Sequence, residues 1–226
     1  MSQNTAIEEQ QRRVRMAARA LGNAGLVHAY GHCSQRLNEN SFLVCAAQPM
    51  GLIASGEPGT VVAVDGPLPE AVLGEVSVHQ RVYARRPEVG GICRIMPPNL
   101  MALSTLGLTP KMRHGFGCHF SPEVPLWDDP QLIRTPERAI GVATTLADRQ
   151  AIIMRGNGAV VVAEDLIKAV VLSWYLEDAC RIELEVLKTG QKGKLIPVEQ
   201  AEQRATWGGN IAERMWAYLT HGDPET

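Results

Sequence analysis

The chain lacks the cysteine spacing that would build a scaffold. Its five cysteines, Cys33, Cys45, Cys93, Cys118 and Cys180, lie scattered, with an odd total and no CxxC. That pattern argues against a disulfide framework or a structural zinc site and fits a reducing compartment. An excess of one charge is also lacking. Lys and Arg total 22 against 24 Asp and Glu, a formal net charge of −2, so there is no basic field to hold nucleic acid. No apolar run is long enough to span a bilayer. The opening residues, MSQNTAIEEQQRRVRMAARAL, turn from polar to helical without the apolar core of a secretion signal. The expectation is a cytoplasmic protein with neither membrane nor nucleic acid as partner. No P-loop, GxGxxG, GxSxG, HExxH or HxH occurs, which removes the common nucleotide-binding, serine-hydrolase and zincin readings.

What is present is ordinary in bulk. The 226 residues are 45% apolar and 20% charged, enough for one large domain with its own core. Residues 7–24 repeat with helical period (Ile7, Val14, Ala17, Ala18, Leu21), and Gly25 suits the residue after a helix. Strands are predicted over residues 42–47, 60–64, 89–95, 151–154 and 159–163, with a short one leading up to Leu37. Helices are predicted over 99–106, 136–148 and from Asp165 as N-cap to Lys188. Residues 109–129 read as a long loop with a short strand around Val124, and residues 199–219 as one last helix. No repeat or linker divides the chain. It reads as a single α/β domain over residues 1–226, in which 194–226 form a helical C-terminal extension.

The most informative stretch is GEVSVHQRVYARRPEVGGICRIMPP, residues 74–98. Glu75, His79 and Tyr83 stand four apart, on one face of a helix that Pro87 stops. Arg94 follows in a small, apolar strand closed by Pro97 and Pro98. A buried guanidinium is costly unless paired, so Arg94 is either ion-pairing glue or part of an anion site. Glu75 is the leading acid/base candidate, against the plainer reading of a solvated first-turn carboxylate. His79 alone reads as a packing residue. His28, His32, His114 and His119 sit in polar loops, each readable as a loop hydrogen-bonder and together as a metal cluster. The turn Arg155-Gly156-Asn157-Gly158 fits a hairpin without further purpose.

Three segments in order resemble the class II aldolase/adducin family. GLVHAYGHCSQRL resembles its GNxSxR loop and strand; residues 74–98 resemble its catalytic Glu, His four later and HxHPP-type strand; AIIMRGNGAVVVAEDLIKAV resembles its LLRGHG turn and following helix. The likeness covers residues 17–189. It implies a three-layer α/β/α domain with a mainly antiparallel central sheet, usually a homotetramer with sites between neighbouring subunits, and it implies Glu75 as acid/base.

The departures are as specific as the match. The family holds zinc or manganese on two histidines of the strand and one of the turn, and those positions here are Arg94, Met96 and Asn157. Arginine stays protonated, and a thioether and an amide are poor ligands for hard ions, so no cofactor is expected. The phosphate-holding segments are changed too. His32 replaces an Asn, Ala46-Ala47-Gln48-Pro49 a hydroxyl-rich loop, and Gly74 precedes Glu75, although Ser34 is kept. The resemblance is then to the branch holding decarboxylases of hydroxylated aromatic dicarboxylates. It implies a lyase, a decarboxylase or retro-aldol enzyme, on a small hydroxy-carboxylate without phosphate. Arg94 would stabilise the developing charge, helped by Arg155 or His119, and His32 and Ser34 would hold the substrate carboxylate. His79, Met96, His114, Asn157 and Tyr218 would complete the binding site. Two alternatives stand beside this. One is a relocated divalent metal (Mn, Fe or Zn) on His28, His32, His79, His114 and His119; the other is an inactive adducin-like scaffold.

Overall fold

The computed structural model describes residues 3–226. Helix α1 (Gln3–Asn23) ends before Gly25, whose φ of +70° is the left-handed turn that glycine adopts most readily. Strands β1 (His32–Asn38), β2 (Ser41–Val44) and β3 (Thr60–Ala63) follow as an antiparallel meander. A 3₁₀ turn over Gly74–Val76 leads into α2 (Ser77–Arg85), and then come β4 (Gly91–Ile95) and α3 (Pro98–Thr105). The long loop holds the two-residue strand β5 (Leu126–Trp127), just past the expected position near Val124, and a 3₁₀ turn at Gly117–Phe120. Next come α4 (Pro136–Leu146), β6 (Ala151–Met154), β7 (Ala159–Ala163) and α5 (Leu166–Lys188). Asp165 caps α5 by accepting a bond from the Lys168 amide at 2.8 Å.

The sheet runs β3-β2-β1-β4-β7-β6-β5. Every neighbouring pair is antiparallel except β5 with β6, which is parallel, so the sheet is mixed although mainly antiparallel. Alternation along the strands builds two cores. Cys33, Leu43, Cys93, Ile95, Ile153 and Val161 pack against α1, α3 and α5. Phe42, Val62, Ile92, Ile152 and Val160 point the other way, against α2 and α4. The result is the expected three-layer α/β/α domain. Arg94 shares the face of Ile92, opposite to Cys93 and Ile95, which puts it on the α2 side in the middle of the sheet.

The expected last helix is two. α6 (Val198–Arg204) and α7 (Ile211–Leu219) are separated by a break containing Gly208 and Gly209, and Asn210 takes a left-handed φ of 57°. The apolar period of the sequence runs through this break, but two consecutive glycines remove too much helix propensity for the helix to continue. The chain end folds back on α1. Arg15 and Arg19 are buried there, with Glu225 2.7 Å from each and Asp223 2.7 Å from Arg19.

Candidate active site

A cleft of about 500 Å³ opens on the α2 side where β1 and β4 meet the turn between β6 and β7. Cross-strand pairing sets His32 opposite Arg94. The turn is pressed against the end of β4: Gly158 has φ +80°, and a Cβ there would lie 2.0 Å from the Ile95 carbonyl oxygen. Only glycine allows that approach, and it brings Asn157 beside Arg94.

Arg94 is 6% exposed. Its Nη2 donates to Asn157 Oδ1 at 2.7 Å and to the Asn157 carbonyl at 3.1 Å. Among the described residues no carboxylate forms an ion pair with it, and its Nε and Nη1 have no hydrogen-bond partner. Burial pulls the guanidinium down to about 10, opposed only by the more distant charge of Glu75. Arg94 therefore makes no direct ion pair with Glu75. Glu75 instead accepts from Arg134 Nε at 3.0 Å, across the mouth of the cleft. Glu75 sits in the 3₁₀ turn rather than in α2, which turns its carboxylate toward the cleft while His79 and Tyr83 point inward.

Behind the cleft wall two polar residues of β1, His32 and Ser34, meet α2. His32 Nδ1 lies 2.8 Å from His79 Nε2, and His79 Nδ1 lies 2.7 Å from Ser34 Oγ. Ser34 Oγ is 2.9 Å from the Tyr83 hydroxyl, which also donates to the Ser34 carbonyl at 3.1 Å. His79 and Ser34 are fully buried, so neither touches a ligand; the expectation that Ser34 holds the substrate gives way to a supporting place behind His32. Burial and the nearby Arg94 charge push His79 down to about 3, and burial with the His79 and Arg94 charges pushes His32 well below its usual range. Both imidazoles are neutral at pH 7.

The cleft thus unites Glu75, His32, Arg94, Met96 and Asn157 from the expected site. It leaves out His114, His119, Arg155 and Tyr218 within this chain. His114 lies 3.8 Å from Asp178, and His119 packs at a tilt against Tyr175 and Trp207, all against α5 on the opposite face of the sheet. Arg155 pairs with Asp128, and Tyr218 is 72% exposed on α7. Arg134, Tyr30, Leu73 and Leu132 line the cleft without any sequence signal, because they come from irregular segments that only the fold brings there. Tyr83 was legible only as the third residue of the α2 stripe.

The donor set does not fit the divalent ion of the resembled family. At the three ligand positions stand a protonated guanidinium, a thioether and an amide, and the first and last are hydrogen-bonded to each other. Among the described residues no three His, Cys, Asp or Glu side chains converge as a metal ion requires, so the alternative histidine set is not assembled either. No helix is long and apolar enough to cross a membrane among the described residues.

The cleft thus sets a buried cation, Arg94, and a carboxylate at its mouth, Glu75, on a three-layer α/β/α scaffold. This chain belongs to the class II aldolase and adducin N-terminal domain family, whose model matches residues 12–184. It is similar to 3,4-dihydroxyphthalate decarboxylase from Arthrobacter keyseri, 25% identical over 217 residues that cover 88% of this chain and 87% of the relative. Among solved structures, L-fuculose-1-phosphate aldolase from Thermus thermophilus matches with a TM-score of 0.72 and 27% identity, covering 84% of this chain and 100% of that one. L-fuculose 1-phosphate aldolase from Glaciozyma antarctica shares the fold at a TM-score of 0.77 and 20% identity, covering 94% and 89%.

Proposed function

We propose that this protein is a carbon–carbon lyase of the decarboxylase type, acting on a hydroxylated aromatic carboxylate without phosphate and without a divalent metal. The family and the decarboxylase relatives support a lyase. The observation that carries the finer reading is Arg94: a guanidinium buried in apolar strands, with unfilled donors and no acidic partner among the described residues, is matched to an anion that comes from outside. An inert scaffold has no use for such a residue, and that favours an enzyme over the adducin-like alternative.

In this mechanism Arg94 holds the carboxylate that stays on the ring. Asn157 fixes the guanidinium plane so that its free edge faces the ligand. The bond from the ring to the departing carboxylate breaks, CO₂ leaves, and the electron pair left on carbon takes a proton. Net, one carboxylate and one proton become C–H and CO₂. Glu75 delivers that proton after taking it up from solvent, and Arg134 holds the Glu75 carboxylate at the mouth between turnovers. The fixed positive charge of Arg94 stabilises the charge that builds on the ring. We expect the enzyme to be a cytoplasmic homotetramer, an assembly that sedimentation measures directly.

The test is CO₂ release from 3,4-dihydroxyphthalate by purified protein stripped with a strong chelator. Turnover that persists with sub-stoichiometric metal supports the proposal. Activity that disappears with the chelator and returns with Mn, Fe or Zn ends the metal-free part of it. No release from any hydroxylated aromatic carboxylate ends the whole.

A further inference from the structure

His32 Nε2 is an orphan. It is buried, without a hydrogen-bond partner, on a residue 3% exposed that lines the cleft beside Arg94. The other edge of the ring is engaged: Nδ1 faces His79. What Nε2 offers a ligand depends on which nitrogen carries the proton, and the chain of bonds behind it decides that.

The chain ends on a group that can only accept. The Ser34 carbonyl is 3.1 Å from the Tyr83 hydroxyl, so Tyr83 donates there. Its oxygen then accepts from the Ser34 hydroxyl at 2.9 Å. With its hydrogen so used, Ser34 Oγ accepts from His79 Nδ1 at 2.7 Å. His79 Nε2 is then bare and accepts from His32 Nδ1 at 2.8 Å. His32 Nε2 is left without a hydrogen. The reverse order of donors makes three of these bonds and abandons the carbonyl, whereas this order makes all four. The low affinity of both buried rings for a second proton agrees with one hydrogen on each.

We infer that His32 is the specificity-determining residue of the cleft: its Nε2 is a fixed acceptor that takes the hydroxyl of a ligand whose carboxylate is held by Arg94. A ligand lacking the hydroxyl leaves that lone pair unmatched, and a carboxylate oxygen placed there meets lone pair against lone pair. This role differs from the one expected from sequence, in which His32 would hold a carboxylate. The choice of ligand rests on the reading of the cleft as a carboxylate site; the tautomer does not.

Two measurements test this. In ¹⁵N-labelled protein, NMR of the histidine side chains is expected to show the His32 proton on Nδ1 and none on Nε2. Tyr83→Phe removes the donor that anchors the order. The Ser34 hydroxyl is then free to donate to His79, and the His32 proton moves to Nε2, where cleft water receives it. Calorimetry with 3,4-dihydroxybenzoate and benzoate is expected to favour the hydroxylated acid by about tenfold, the scale of one matched hydrogen bond at a buried acceptor. His32→Phe brings that preference to about onefold, while Tyr83→Phe is read by the move of the His32 proton to Nε2. A His32 Nε2 that carries hydrogen in the unaltered protein overturns the inference, as does a preference that survives in His32→Phe. Benzoate binding in Arg94→Met is read separately: if it is unchanged, the carboxylate reading of the cleft fails, while the preference set by His32 still stands or falls on its own variants.

Discussion

Arg94 costs the fold free energy, because its charge is desolvated and meets only an amide and a carbonyl. Replacing it with an apolar residue of similar length should therefore separate stability from function. Arg94→Met is expected to raise the unfolding free energy by about 1–3 kcal/mol while lowering kcat/KM at least about 100-fold, as measured by denaturant titration beside the turnover assay. Turnover unaltered in Arg94→His or Arg94→Met would remove the residue from the mechanism. Glu75 makes the contrasting case. It is at the rim and pairs with a mostly exposed arginine, so its removal should leave the fold intact. Glu75→Gln is expected to lower kcat by about 10²–10⁴-fold with little change in KM, the pattern of a lost proton donor. Both residues were legible in the sequence, one as the first member of a helical stripe and one as a charge in an apolar strand. Arg134 was not, because nothing local marks a loop arginine 59 residues from its partner.

Among the elements, those with strong local signals came through. The strands at 151–154 and 159–163 and the Asp165 cap of α5 match the structure to the residue, because β-branched runs, a tight turn and a capping side chain act over a few positions. The break between α6 and α7 was hidden, since apolar period is blind to a glycine pair that interrupts it. The contact of the chain end with α1 was hidden for another reason. It joins residues more than 200 apart, and only the packed helices bring them together. Glu225 is held down to about 2, first by its bonds to Arg15 and also by those to Arg19. A carboxylate lowered in the fold stabilises above its ordinary pKa near 4.5, and the contribution is lost as pH falls from there through about 2. Glu225→Gln is expected to cost about 1–3 kcal/mol at pH 7, a difference that narrows below pH 4.5 and closes only below about pH 2. Parallel denaturant titrations across that range check it.

For the molecule as a whole, the relay beneath the cleft ties stability to acid in a different window. His79 falls from an ordinary 6.5 to about 3 in the fold, and His32 is lowered as well. Below pH 6.5 the unfolded chain binds protons that the folded chain refuses, so stability is full above that pH and declines as pH falls toward 3. The slope is about 1.4 kcal/mol per pH unit for each histidine. A thermal midpoint that stays level between pH 7 and pH 5 would show that the rings are not kept neutral. The three layers and the mainly antiparallel sheet could be anticipated because patterning and family likeness act over the whole chain; the order of the strands and the relay could not, since the relay needs β1 and α2 side by side.

The bond between Arg94 and Asn157 also limits how a cleft of this kind can change by inheritance. A single substitution to histidine at residue 94, 96 or 157 supplies one imidazole where a divalent ion needs about three donors, and a change at 94 discards the guanidinium at once. Forms that hold a metal and forms that hold an arginine are thus separated by intermediates with neither cation complete. Elemental analysis should find stoichiometric Zn or Mn in the triple variant Arg94→His, Met96→His, Asn157→His and in none of the three single variants.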